Sequence, residues 1–224
     1  MIRLSALALT CLAVSIACSP MIAAGTAIPA AQMDDALAAK PGQAMTVVAG
    51  GCFWGVQAVF QHTKGVLRAT SGYAGGTAST ARYDIVSSET TDHAEAVQVV
   101  YDPSQITFGQ LLRVYFSVAH DPTQKDRQGP DMGRSYRSII FTVSADQARI
   151  ARAYIDQLDA AKVFRLPIVT DVSAPMPFYP AEDYHQDYAT LHPDDMYIRI
   201  NDAPKVVALK QQLPELYSAK KAPF

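Results

Sequence analysis

No cysteine follows Cys52 in this 224-residue chain, and only Cys11 and Cys18 precede it. If those two belong to a targeting segment, the mature protein keeps one thiol and cannot form an intramolecular disulfide. A disulfide-framework protein and an all-cysteine metal site are both excluded by that count. An excess of positive charge is also missing: 19 Lys and Arg face 21 Asp and Glu, so no basic field marks a nucleic-acid surface. The five histidines, at 62, 93, 120, 185 and 192, are widely spaced and make no H-x-x-x-H pair, which leaves zinc and haem without support. No Gly-rich phosphate loop after a strand points to nicotinamide or flavin. Apolar residues make up 49% of the chain, enough for one sizeable core.

The apolar run at the start is short. Arg3 is followed by uncharged residues from Leu4 to Cys18, then by the small-residue and proline stretch SPMIAAGTAIPAAQ. This is the pattern of an export signal, and the run is too short for a transmembrane span. The expected organisation is an export segment over 1–30 with cleavage near Ala30, an arm over 31–44, and one catalytic domain over 45–224. Export implies a periplasmic protein. Cys18, behind Val14-Ser15-Ile16-Ala17, offers a second route in which cleavage after Ala17 leaves a lipid anchor on Cys18.

In the domain, Met45–Ala49 reads as a buried strand that stops at Gly50-Gly51. Cys52 through Phe60 reads as a helix opening, and Val66–Tyr73 as a strand. Ala94–Tyr101 alternates and ends at Asp102-Pro103, a strand followed by a turn. Phe108, Leu111, Leu112, Tyr115 and Phe116 recur at helical spacing. Residues 120–135 form a polar loop, and Tyr136–Val143 returns to strand character. Ser144 to Gln147 matches a capping box that opens a helix to Ala160. A strand over Leu166–Val172 and short helices near 181–190 and 203–212 complete the reading, within a proline-rich coil. Strands and helices mix without a repeating strand–helix unit. The fold expected is an α+β two-layer sandwich with a mixed sheet and a ferredoxin-like core, in a monomer.

Cys52 sits where unpaired helix N–H groups and the helix dipole favour a thiolate, behind two glycines that let a reactant approach the backbone. That placement suits a low-pKa nucleophile, and equally a buried structural thiol. Glu95 shares a strand face with Val97 and Val99, so its carboxyl is expected to be desolvated and to hold a proton near neutrality. An exposed edge carboxylate is the alternative on the residues alone. Asp131, in Gly129-Pro130-Asp131, reads by itself as a turn, and Phe53 and Trp54 as either a small apolar pocket or core.

The stretch Gly51-Cys52-Phe53-Trp54-Gly55 resembles the active-site signature of the A-class peptide methionine sulfoxide reductases. Further blocks resemble that family in order: Ser71–Gly76, Thr91–Val97, His120–Gln124, Arg127–Gly133, Tyr136–Ser138 and Phe178–Gln186, so that the similarity spans roughly residues 45–217. The resemblance implies thiol-dependent reduction of methionine-S-sulfoxide, protein-bound and free. It makes Cys52 the nucleophile and Glu95 the acid, with Tyr83 and Tyr136 as hydrogen-bond donors to the sulfoxide oxygen. Asp131 would orient the thiol environment and the substrate backbone, while Phe53 and Trp54 grip the S-methyl group.

Attack on the sulfoxide leaves a sulfenic acid on Cys52. Many members of that family carry resolving cysteines near the C-terminus, but the segment Tyr197–Lys205 and the residues after it have none. No bound cofactor is implied. An external thiol or dithiol is: a thioredoxin- or glutaredoxin-like partner, a small thiol, or a membrane-linked dithiol relay suited to an exported protein. Two other readings remain open on the sequence. One is a thiol hydrolase or acyltransferase that pairs Cys52 with Asp131 and one of His93, His120 or His185. The other is a catalytically silent peptide-binding module.

Overall fold

The computed structural model describes residues 28–224. Most of the expected export segment, with Cys11 and Cys18, lies outside the described residues. The chain from Ile28 leads without regular structure into β1 (Ala44–Ala49), α1 (Phe53–Gln61), β2 (Val66–Ala74), α2 (Tyr83–Val86), β3 (Ala94–Tyr101) and α3 (Phe108–Val114). The two-residue strands β4 (Arg127–Gln128) and β5 (Asp131–Met132) form a small ladder inside the polar loop. Then follow β6 (Ile139–Phe141), α4 (Ala145–Ala160), β7 (Asp171–Ser173), β8 (Phe178–Pro180), α5 (Tyr188–Leu191) and α6 (Ala203–Gln212).

Six strands make one sheet in the order β7-β6-β1-β3-β2-β8, antiparallel except for the parallel pair β6 and β7. This is the mixed sheet of the expected α+β sandwich with a ferredoxin-like core. The alternation in β3 sorts its side chains as the sequence requires. Val97, Val99 and Tyr101 join Phe53, Val56 and Phe60 of α1 in the main core, while Ala94 and Ala96 face a smaller cluster with Val47, Ile139 and Phe141. Burial of each large apolar side chain in this core contributes about 1.5–3 kcal/mol.

Three elements differ from the sequence expectation. The strand expected over 136–143 shrinks to Ile139–Phe141, because Arg134–Tyr136 turns as a 3-10 helix behind Gly133, whose φ is +135°. The strand expected over 166–172 is confined to Asp171–Ser173. In the box at Ser144, the hydroxyl accepts from the Gln147 N–H as expected, but the Gln147 side-chain Oε1 takes the N–H of Val143 rather than that of Ser144. In the six-stranded sheet one strand was hidden altogether. β8 lies in a proline-rich stretch and pairs along the edge of β2, where Pro180 is tolerated.

Candidate active site

Cys52 is the N-cap of α1, at the end of the turn that leaves β1. The preceding glycines are required by packing. A Cβ at Gly50 would fall 2.7 Å from the His120 ring, and one at Gly51 would fall 2.5 Å from Gln128 Cγ. Gly51 also has φ +84°, a left-handed conformation that an L side chain enters at a cost of about 1–2 kcal/mol. The glycines thus have a packing role that the sequence did not show: they admit His120 and the Gln128 end of the loop that carries Asp131 and Tyr136.

That loop is fastened at several points. The Gly51 N–H donates to the Tyr136 carbonyl at 3.2 Å, which sets Tyr136 beside the turn that holds Cys52. The Arg137 guanidinium donates to the carbonyls of Asp92 and His93 at 2.7 and 3.2 Å, just ahead of Glu95. Ser135 donates through its N–H and hydroxyl to the Glu89 carboxylate.

Glu95 is 4% exposed, and its Oε2 accepts from the Phe53 N–H at 3.1 Å. The second donor position of α1 thus brings the carboxyl to the residue next to Cys52. Burial pushes its pKa up to about 8; the Phe53 hydrogen bond opposes this, and the charge of Asp131 adds to it. Glu95 therefore carries its proton at neutral pH, as the strand alternation predicts.

The thiol behaves otherwise. Cys52 is 7% exposed, and burial raises its pKa well above the ordinary value, followed by repulsion from Glu95 and Asp202. The Trp54 N–H bond to the sulfur and the charge of Lys205 pull the other way without prevailing. Of the two readings the helix start left open, the thiol is the buried one and its pKa is raised: desolvation outweighs the dipole. Ionising Cys52 and Glu95 together would put two negative charges in one desolvated space, so a charged Glu95 holds the thiol proton more firmly still.

Aromatic rings enclose this pair. Phe53 is buried, with ring centroids 5.9 Å from Tyr73 and 5.0 Å from His185. Trp54 is half-buried and stacks on Tyr188 at 3.8 Å, with Tyr197 edge-on at 6.0 Å. Tyr83 lies with its ring 4.5 Å from His185, and its N–H donates to the Glu182 carboxylate at 3.0 Å. Tyr83 and Tyr136 both have raised pKa values, from burial first and then from Glu95, and both feel the charge of Cys52. They stay protonated and can donate. Asp131 accepts a hydrogen bond from the Tyr197 hydroxyl.

All seven residues singled out from the sequence thus lie around one site, but several neighbours were missed. His185 receives the Trp54 indole N–H on Nδ1 at 3.2 Å, and its Nε2 has no partner. Gln57 is buried and bonds Gln186 and the Asp187 N–H at 2.8 and 2.9 Å, pinning the segment that supplies His185 and Tyr188. Gly55 is the one residue that fits against Asp202, since a Cβ there would fall 2.1 Å from the carboxylate oxygen. Asp202 is fully buried and pairs with Lys205 at 3.0 Å. Gly55, Gln57 and His185 lie in or beside the blocks at 51–55 and 178–186, and the sequence offers His185 only as a possible base, while nothing in it marks Asp202.

No histidine is arranged as a base for Cys52. His120 is committed to Ser138 and the Tyr115 carbonyl at 2.7 and 3.2 Å, and burial drives its pKa down to about 3. His93 contacts the Thr77 carbonyl at 3.0 Å, and the bonded nitrogen of His185 faces Trp54. The hydrolase arrangement therefore lacks its central hydrogen bond. Among the described residues, no group of three or more His, Cys, Asp or Glu is arranged to hold a metal.

A buried thiol beside a protonated carboxyl, lined by aromatic rings and tyrosine hydroxyls, suits attack on an apolar group bearing a basic oxygen. The comparisons with known proteins agree. Residues 44–216 match the family described as peptide methionine sulfoxide reductase. The chain is 57% identical over 182 residues to peptide methionine sulfoxide reductase MsrA 2 of Mesorhizobium japonicum, covering 81% of this chain and 93% of that protein. It is 48% identical to the protein of the same name from Synechocystis, over 80% of this chain and 84% of the relative. Among solved structures it is similar to methionine sulfoxide reductase A of Corynebacterium diphtheriae, with a TM-score of 0.58 and 38% identity over 69% of this chain and 77% of that one. With that agreement between site and relatives, the chain belongs to the peptide methionine sulfoxide reductase family and reduces methionine-S-sulfoxide by thiol chemistry.

Proposed function

We propose that Cys52 is the nucleophile and Glu95 the proton donor of this reduction. The Cys52 sulfur attacks the sulfoxide sulfur while Glu95 gives its proton to the oxygen, and the thiol proton replaces it on Glu95. The hydroxyl ends on Cys52 and the bond between the two sulfurs breaks, leaving its electron pair on the thioether. The net change is sulfoxide plus thiol to thioether plus sulfenic acid. Tyr83 and Tyr136 donate to the oxygen as charge develops there. Phe53 and Trp54 hold the S-methyl group, and Asp131 fixes Tyr197 at the edge of the substrate backbone. Protein-bound and free methionine sulfoxide both present the group these residues bind.

The observation that carries this reading is the buried Glu95 carboxyl, protonated at neutral pH and bonded to the N–H next to Cys52. In a dithiothreitol assay with each epimer of a methionine-sulfoxide peptide, the wild type should reduce the S epimer and Cys52→Ser should not. Reduction of the S epimer by Cys52→Ser would refute the assignment.

Regeneration falls to another molecule. Cysteines stand only at 11, 18 and 52, so a dithiol of the thioredoxin or glutaredoxin type, or a small thiol, resolves the sulfenic acid. The protein works after export, in the periplasm, unless Cys18 carries a lipid that keeps it at the membrane. Fractionation of a Gram-negative host expressing the full chain tests this. Recovery of all the protein in the cytoplasm would contradict it.

A further inference from the structure

The residues ahead of β1 are built into the domain, beginning earlier than the cleavage expected from sequence allows. Ile28 is 4% exposed and belongs to the main core cluster. Its carbonyl accepts from Arg113 Nε at 2.9 Å. The next two carbonyls are also taken: Pro29 accepts from the Tyr154 hydroxyl at 2.6 Å and Ala30 from Gln157 Nε2 at 2.9 Å. Gln157 returns the contact by accepting the Gln32 N–H at 2.9 Å. Farther along, the Asp34 carboxylate receives the Thr107 hydroxyl and the Gly109 N–H at the start of α3. The Ala38 N–H then donates to the Pro103 carbonyl at 2.9 Å.

A cut after Ala30 would remove the Ile28 side chain from the core and take away three acceptors. The Tyr154 ring is 1% exposed, so its hydroxyl would lose its partner in a largely apolar setting. The residues around that bond also suit an export peptidase poorly, since Ile28 and Pro29 precede Ala30 where small residues are preferred. Three residues upstream the pattern is satisfied: Gly25-Thr26-Ala27 has small residues at both required places, and the next residue is Ile28.

We propose that the export peptidase hydrolyses the Ala27–Ile28 bond, so that the mature enzyme begins with the buried Ile28. Water adds across the amide, leaving a carboxylate on Ala27 and an α-ammonium group on Ile28. This rests on the export reading and refines it.

The test is expression of the full chain in a Gram-negative host, followed by intact mass and N-terminal sequencing of the periplasmic protein. Ile28 should be the first residue. Ala27→Leu should cause at least about tenfold accumulation of uncut precursor, because a bulky residue stands before the bond. Ala30→Leu, at an exposed position, should be processed normally to Ile28. A mature protein starting at Ala31, a block by Ala30→Leu, or a lipid on Cys18 would overturn the inference and leave export standing. Uncut wild-type protein held in the cytoplasm would overturn both.

Discussion

At the scale of single residues, the chemistry turns on where one proton resides. Glu95 is neutral below about pH 8 because burial penalises its charge. Activity should therefore fall as pH rises through about 8. Glu95→Gln should lower kcat about 10²- to 10⁴-fold and remove that limb of the profile. Stability follows the same group. The folded state holds the Glu95 proton more tightly than the unfolded chain, so this contribution is fully present below the ordinary carboxyl pKa and is lost as pH rises through about 8. Thermal melts of wild type and Glu95→Gln across that range read the difference, which should vanish at low pH. Removing both donors, in Tyr83→Phe with Tyr136→Phe, should cost about 10²–10³-fold in kcat. A double variant with wild-type kcat would refute their role. The position of Glu95 was legible because strand alternation is a local rule. The raised pKa of Cys52 was not, because the helix start is visible in sequence while the burial that outweighs it comes from distant segments.

At the scale of elements, the glycines and Gln57 decide whether the site assembles. Gly51→Ala forces a left-handed backbone and a contact with Gln128, and should destabilise the fold by about 1–3 kcal/mol. Gln57→Ala removes the bonds from α1 to Gln186 and Asp187 and should cost about 2–3 kcal/mol. It should also raise KM, since His185 and Tyr188 hang on that segment; denaturant melts and steady-state kinetics measure the two effects. An unchanged KM would separate Gln57 from substrate binding. The helices α1, α3 and α4 were legible from apolar spacing and the Ser144 cap. β8 was not, since Pro177 and Pro180 mark coil in a single sequence and the strand exists only as an edge on β2. The ends of β6 were misread because Gly133, at φ +135°, starts a turn that no apolar pattern announces.

At the scale of the whole molecule, the lone thiol among the described residues separates the two halves of the cycle. The fold brings Cys52 and Glu95 together from β1–α1 and β3, and among the described residues the rest of the chain supplies rings and hydrogen bonds but no second thiol. Reduction of substrate is complete within the chain, while recovery requires a thiol from outside. The most direct test is a single-turnover experiment with excess S-sulfoxide peptide and no reductant, followed by trapping with a sulfenic-acid probe and mass spectrometry. The account predicts one equivalent of methionine per enzyme, with the probe on Cys52 alone. Continued turnover without added thiol, or methionine formed with no adduct on Cys52, would contradict it.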